Sequence, residues 1–211
     1  MNKQLILIGG GGHCKSVIEV AESAGYTILG ILDRPEEVGK QVLDYKVIGV
    51  DDDIPQYVDQ AEFVITVGFI KNSSLRIKLY RKVLEAGGKL ATLVASTAHV
   101  SKYATLGQGT VVMHQALVNA GAVIGDNVII NTFANIEHDA HIGNQCHVST
   151  GSMINGDCVV GDSCFIGSQS VLANAIFICP NVIIGAGSLV RKSINQSGIY
   201  SGNPAILKIK L

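Results

Sequence analysis

The sequence predicts an α/β chain of two parts: a Rossmann-like βαβ domain over residues 1–95, then a parallel β-helix of hexapeptide repeats over residues 96–211, ending in a short tail. Three observations predict it. Every sixth residue from Val100 to Val190 is Val, Ile or Leu, without a break. Gly107, Gly125, Gly143 and Gly161 each follow one of these residues at intervals of eighteen, and Gly167 and Gly185 repeat the interval. Ahead of the array, an apolar run enters Gly9-Gly10-Gly11-Gly12-His13 and then a helical pattern, the order of strand, glycine-rich turn and helix.

Residues 4–8 read as a short buried strand. Residues 15–24 place Val17, Ile18 and Ala21 at helical spacing and stop at Gly25. Residues 27–32 form the second strand, which ends at Asp33. A further strand over 62–67 ends at Gly68. An amphipathic helix over 71–86 stops at Gly87-Gly88, and a strand over 90–94 leads into the array. Glycines in the first turn let the backbone approach a ligand, and the helix N-terminus offers free N–H groups to a phosphate. Asp33 can accept hydrogen bonds from a ribose or base. The G-x-G-x-x-G fingerprint is incomplete, with Cys14 at its third glycine position, and the segment is too short for a dinucleotide domain. The reading is therefore a mononucleotide site, with a structural turn that binds nothing as its alternative.

A period of six fits neither a helix nor a lone strand. It fits a three-sided prism with one short strand per side and eighteen residues per coil. Coils spaced by about 4.8 Å give a stiff rod roughly 25 Å long. Two residues before each beat lies a track of mostly small residues, suited to a tight inward corner. Cys146, Cys158 and Cys164 fall on it and read as small core residues. Cys14 and Cys179 have no assigned role.

Composition narrows the classes. A net charge of −1 with no basic run argues against a nucleic-acid groove. No apolar run reaches the roughly eighteen residues of a membrane span, and residues 1–8 lack a signal-peptide pattern. An odd number of cysteines without a CxxC pair points to a cytoplasmic protein.

Within the array, residues 131–139 gather an imidazole (His138), flanking carboxylates (Glu137, Asp139) and two amides (Asn131, Asn135). His138 lies two residues past its beat and so outside the core. A neutral imidazole can take a proton from a nucleophile attacking a carbonyl, and a carboxylate on its other nitrogen fixes the tautomer. Adjacent residues on a straight strand point apart, so Asp139 reaches His138 only if the chain turns there. A solvated surface cluster is the alternative. His99 and His114 read as surface residues. The array carries no loop insertion, and flat prism faces make poor pockets. A site is therefore expected where two rods abut, which implies a homo-oligomer.

The glycine turn with His13, Asp33, the hexapeptide array, Asn131 with Glu137-His138-Asp139, His147-Val148-Ser149 and Gly202-Asn203-Pro204-Ala205 together resemble one family over nearly the whole chain. It is the hexapeptide acyltransferases of bacterial surface-sugar biosynthesis, in the branch of nucleotide-sugar N-acetyltransferases acting on 4-amino-4,6-dideoxy sugars. The resemblance implies a left-handed parallel β-helix, a homotrimer, and acetyl-CoA lying between adjacent β-helices near His147, Gly156, Ser168 and Ala186. It implies a nucleotide-linked amino sugar held by the N-terminal domain, with Gly11, Gly12 and His13 near phosphates and sugar and Asp33 and Gly68 lining the nucleotide pocket. His138 is then the general base, Asp139 its acidic helper and Asn131 a polar neighbour, with no metal. Three positions depart from the family pattern: Ala95-Ser96 stand where histidine is frequent, Ile206 follows the G-x-P-A motif, and Phe69 follows Gly68. The last leaves the nucleobase open. O-acetylation of a sialic acid by the same residues is the second reading. A zinc hydratase resembling the γ-type carbonic anhydrases, using His138, His141 and His147, is a remote third.

Overall fold

The computed structural model describes residues 3–210; Met1 and Asn2 of the first predicted domain and Leu211 of the second lie outside the described residues. Strand β1 (Gln4–Ile8) is buried from Leu5 onward, as the central strand of a parallel sheet must be. It pairs in parallel with β2 (Thr27–Asp33) on one side. Leu5 and Leu7 face the helix α1 (Gly12–Ser23), which makes the crossover. Cys14 sits in this layer, fully buried, so the third glycine position of the fingerprint is a core residue here.

A hairpin of β3 (Gln41–Val42) and β4 (Tyr45–Val50) extends the sheet beyond β2. The sequence reading has no element there, because six residues interrupted by Gly49 show neither period clearly. On the other side of β1 lies β5 (Glu62–Ile65), giving the order β3-β4-β2-β1-β5. Ile6 and Ile8 face α2 (Ser74–Glu85), which packs through Leu79, Tyr80 and Val83. The chain leaves β1 toward β2 and later returns to its opposite side, so the carboxyl ends open a crevice at a topological switch point.

The second half forms three sheets around one core, parallel throughout the array, with an antiparallel C-terminal strand (Ile206–Lys210) added to one of them. Face I carries His147–Val148, face II carries Asn135–Ile136 and face III carries His141–Ile142, among others. Each strand pairs with the strand eighteen residues on, as Ile130 with Val148, Ile136 with Ile154 and Ile142 with Val160. The predicted columns are therefore real. They start one rung early: Leu93–Val94 pairs with Val111–Val112 on face I, while Ala91, Leu93 and Ala95 pack into the N-terminal core.

A fourth track explains the corners. Every sixth residue from Gly109 to Gly187 has φ in the left-handed region. That conformation costs a non-glycine residue about 1–2 kcal/mol, least for Asn and Asp, and Gly121, Asn127, Asp139, Gly151, Asp157 and Asn181 occupy such corners. The inward small track also does more than fill space. Thr110, Ser152 and Ser170 donate their hydroxyls to the carbonyls of Gly125, Gly167 and Gly185 at 2.8–2.9 Å, and Cys146 Sγ lies 3.1 Å from the Gly161 carbonyl. Buried polar groups are thus paired between coils.

At the III–I corner, Asp126, Asn144 and Asp162 form an axial ladder. Each side chain accepts a backbone N–H from the coil before, from Gln108 (3.0 Å), Asp126 (2.9 Å) and Asn144 (2.7 Å). The glycines ahead of them make this approach possible. A Cβ on Gly143 would lie 2.7 Å from Asp162 N and 2.8 Å from Gly161 C, both rigid backbone atoms. Gly143→Ala is expected to cost roughly 1–3 kcal/mol, seen as a lowered thermal midpoint. An unchanged midpoint would mean that the coils have slack.

The N-terminal unit sits on face I, whose outward residues Val111, Ile129, Phe165 and Ile183 are buried. Tyr80 Oη donates to Asp126 Oδ2 at 2.9 Å across the same seam. Faces II and III carry the exposed apolar side chains Val123, Met153, Val159 and Phe177.

Candidate active site

His138 and Asp139 occupy the corner between faces II and III. Asp139 is the left-handed residue of that corner (φ 58°), and this turn brings its Oδ2 to 2.9 Å from His138 Nδ1. The condition set by the sequence is met by the fold itself. An ionised carboxylate only accepts, so Nδ1 carries the proton and Nε2 holds the lone pair. The Asp139 hydrogen bond raises the pKa of His138 above the ordinary histidine value. Glu137, the other flanking carboxylate, is held elsewhere: Asn135 Nδ2 and Asn119 Nδ2 each donate to it at 2.9 Å. These bonds, led by that from Asn135, lower its pKa and leave Asp139 as the carboxylate that bonds His138 directly.

Gly156 lies one coil on, against the same imidazole. A Cβ there would stand 2.6 Å from both His138 Cε1 and Nε2. Glycine at this position makes the space in which the ring sits.

The other predicted residues form separate groups. Asn131, Ser168 and Ala186 lie at the I–II corner on three coils, with Ser168 Oγ 2.9 Å from Ser149 Oγ. Asn131 does not bond to His138; its Nδ2 lies 3.2 Å from His147 Nε2. His147 stands on face I under the N-terminal domain. Its Nδ1 is 2.9 Å from the Phe69 carbonyl, which fixes the proton there and leaves Nε2 as the acceptor for Asn131. Phe69 and Phe165 meet its ring edge-on at 5.7 and 5.2 Å, and His13 lies at 6.4 Å. Burial pulls His147 down to about 4 despite the Phe69 carbonyl. Burial, aided by Arg76 and His147, takes His13 to about 3. Both rings are neutral at pH 7. Gly68 packs against His13, a Cβ there lying 3.7 Å from its ring. Phe69, the departure from the family pattern, thus fills the seam between domains.

Gly11 and Asp33 line a cleft of about 420 Å³ over the carboxyl ends of the N-terminal strands. Gly9 (φ 104°) and Gly10 let the chain pass: a Cβ on Gly9 would lie 2.5 Å from Val67 Cγ2, and one on Gly10 would lie 2.9 Å from Asp33 Oδ2. Asp33 accepts the N–H groups of Gly10 (2.6 Å) and Arg34 (2.7 Å). Gly12 and His13 open α1, whose N-terminus has no side-chain cap. The sequence reading missed Arg34, Glu37, Asp51, Leu75 and Leu79, which complete the cleft. Asp51 immediately follows β4 and could have been found only with the hairpin. His114, read as a lone surface residue, pairs with Thr97 Oγ1 at 2.8 Å.

Within one chain these groups lie on different sides of the prism. His138, His141 and His147 occupy a corner, face III and face I, so they do not converge on a metal within the chain; among the described residues no group of three or more potential ligands gathers. The II–III corner is opposite face I, where the N-terminal domain sits. Gly156 and the Ser168–Ala186 column occupy two different edges. Asp139→Asn should keep the left-handed corner while removing the charge. Because Asp139 raises the pKa of His138, the acid limb of kcat/KM is expected to move to lower pH and kcat to fall roughly 10- to 100-fold. A pH profile identical to wild type would contradict this pairing.

The family model described as the PglD N-terminal domain matches residues 4–83, and that of the bacterial transferase hexapeptide matches residues 121–156 and 139–174. No curated protein matches the chain. The acetyltransferase domain of PglB from Neisseria gonorrhoeae FA1090 is 31% identical with a TM-score of 0.90, over 98% of this chain and 100% of that one; it is also known in complex with acetyl coenzyme A. PerB from Caulobacter crescentus, in complex with CoA and GDP-perosamine, is 33% identical with a TM-score of 0.90, over 97% of each chain. The array is a left-handed parallel β-helix behind a Rossmann-like domain. With full-length likeness to such enzymes, both family models and an imidazole–carboxylate pair on a β-helix edge, the chain belongs to the hexapeptide-repeat nucleotide-amino-sugar N-acetyltransferases with a PglD-type N-terminal domain.

Proposed function

We propose that this chain transfers the acetyl group of acetyl-CoA to the 4-amino group of a nucleotide-linked 4-amino-4,6-dideoxy sugar, as a cytoplasmic homotrimer with its sites between subunits. The observation that carries the reading is the free Nε2 of His138, oriented by Asp139 on an open edge of the rod. The neutral amine attacks the thioester carbonyl, forming the C–N bond. His138 Nε2 takes the amine proton as the tetrahedral intermediate forms and returns it to the CoA sulfur as the C–S bond breaks. No covalent acyl-enzyme is needed.

The glycine-rich cleft supplies the diphosphate site over the α1 N-terminus. His13 lies beside it, so the sugar extends toward the seam with face I. A second copy whose II–III edge abuts the first copy's I–II edge brings His138 and Gly156 to the same groove as Asn131, Ser168 and Ala186. Exposed apolar side chains on faces II and III suit such packing. All five cysteines are free thiols, in keeping with a reducing compartment, and among the described residues no helix is long and apolar enough to cross a membrane.

The test is CoA release from acetyl-CoA with GDP-perosamine, then with UDP- and dTDP-linked 4-amino sugars, and with a sialic acid as hydroxyl acceptor. Acetylation of a 4-amino group supports the reading. Release with the hydroxyl acceptor alone overturns it, and a monomer by light scattering overturns the assembly.

A further inference from the structure

Arg76 is a buried cation without an anion. It is 1% exposed, on α2, at the seam between the two domains. Its guanidinium donates only to backbone carbonyls: Nη1 to Ile65 (2.5 Å) and Val67 (2.9 Å), and Nε to Asn127 (3.3 Å). Nη2 is buried without a partner, and among the described residues no carboxylate lies within ion-pair distance of the side chain. Burial lowers its pKa to about 9, so it remains charged at pH 7. An unpaired buried charge is costly to keep.

The charge lies directly behind the nucleotide cleft. Val67, whose carbonyl takes Nη1, lines that cleft, as do Leu75 and Leu79 from the same helix. The charge is felt by His13 in the first turn of α1, whose own Nε2 is also buried and unpartnered. The side chains facing the cleft are a poor match for a polyanion: Asp33, Glu37 and Asp51 stand against one cation, Arg34, which already pairs with Glu36 at 3.2 Å. What the cleft offers a phosphate is the uncapped α1 N-terminus and the cation beneath it.

We propose that Arg76 is the buried counter-charge for the diphosphate of the nucleotide-sugar, a positioning residue that holds the phosphates over the α1 N-terminus without touching them. This rests on the nucleotide-sugar reading above. It also assigns the neutrality of His13 and His147 a use. Burial keeps both rings uncharged, Arg76 adds to that to a lesser degree, and the seam beside the sugar then disfavours a protonated amine relative to the free amine.

A counter-charge and a structural clamp differ in how their loss scales with ligand charge. Calorimetric binding of GDP, GMP and guanosine, or of the corresponding series on UDP or dTDP, measures that scaling. Arg76→Gln is expected to weaken the diphosphate about tenfold or more, since one pair of unit charges about 12 Å apart at an effective dielectric of about 20 already accounts for about a factor of ten. The monophosphate should lose less, and the nucleoside should bind as to wild type. Equal losses across the series, or none, overturn the proposal. Arg76→Lys keeps the charge and provides the test should the glutamine variant not fold: its ratio of diphosphate to nucleoside affinity is expected to stay within about twofold of wild type. A ratio that collapses in folded Arg76→Lys overturns the proposal too. A wild-type chain that binds none of GDP, UDP and dTDP overturns both this inference and the nucleotide-sugar reading, whereas a uniform loss in Arg76→Gln overturns this inference alone.

Discussion

His138→Ala is expected to lower kcat by about 10²- to 10⁴-fold, the range lost with a general base, while the KM for the nucleotide-sugar changes little. The asymmetry follows from placement. His138 stands on the edge opposite face I, and the cleft proposed for the nucleotide belongs to the N-terminal domain on face I, with its own glycines, Asp33 and helix terminus. The imidazole is exposed, and among the described residues Asp139 is its side-chain hydrogen-bond partner, so its removal leaves the coil intact. Steady-state kinetics with both substrates varied, alongside a thermal melt, checks both halves. Near-wild-type turnover in a folded variant would assign the proton to another group.

The second large effect comes from a residue with no chemistry of its own. Gly156→Ala should fold and yet lose about 10²-fold in kcat, as misplacing a catalytic group by about 1 Å does. The new Cβ would stand 2.6 Å from Cε1 and Nε2 of His138 and 3.2 Å from its Cδ2. These three nearest atoms all belong to one exposed side chain, and the backbone of Gly156 is not in the left-handed region. The imidazole is half-exposed and free to swing, so the ring moves and the coil does not. Swinging breaks the Nδ1–Asp139 bond, so the His138 pKa should also fall back toward its ordinary value, readable by NMR titration. Unchanged kcat together with an unchanged titration would show that the ring has room to spare.

The β-helix was legible because one side chain in six must face a core that repeats, and Val, Ile and Leu at those positions leave a period that nothing else produces. The corner track was equally present in the sequence, as Gly, Asn and Asp three residues past many beats. It is obscured by Gln115, Phe133 and Ala175, which take the same left-handed conformation because the coil leaves no other way round. Reading that track would have predicted the turn at Asp139 and hence its bond to His138. His138 itself was legible from local density of polar groups.

Other parts of the site were not legible, for physical reasons. The β3–β4 hairpin is too short to show a period, so Asp51, just past it, stayed hidden. Arg76 looks like any helix-surface cation in an amphipathic pattern; only the docking of α2 between two domains buries it. Asn131 falls seven residues before His138 in sequence yet turns toward His147, since six residues carry the chain from one prism corner to the next. Proximity in sequence along a coil is distance around it.

The central claim is that one chain's His138 serves another chain's nucleotide cleft, and subunit mixing tests it most directly. His138→Ala lacks the base. Gly11→Asp places a carboxylate where the phosphates are proposed to bind, at an exposed helix N-cap whose Cβ position is open, so the chain should fold. Each variant alone should be inactive. Co-expressed with different tags and purified as mixed oligomers, they should regain activity, because an intact His138 from one chain then faces an intact cleft from the other. Mixed oligomers as inactive as their parents would place base and cleft in the same chain and contradict the account.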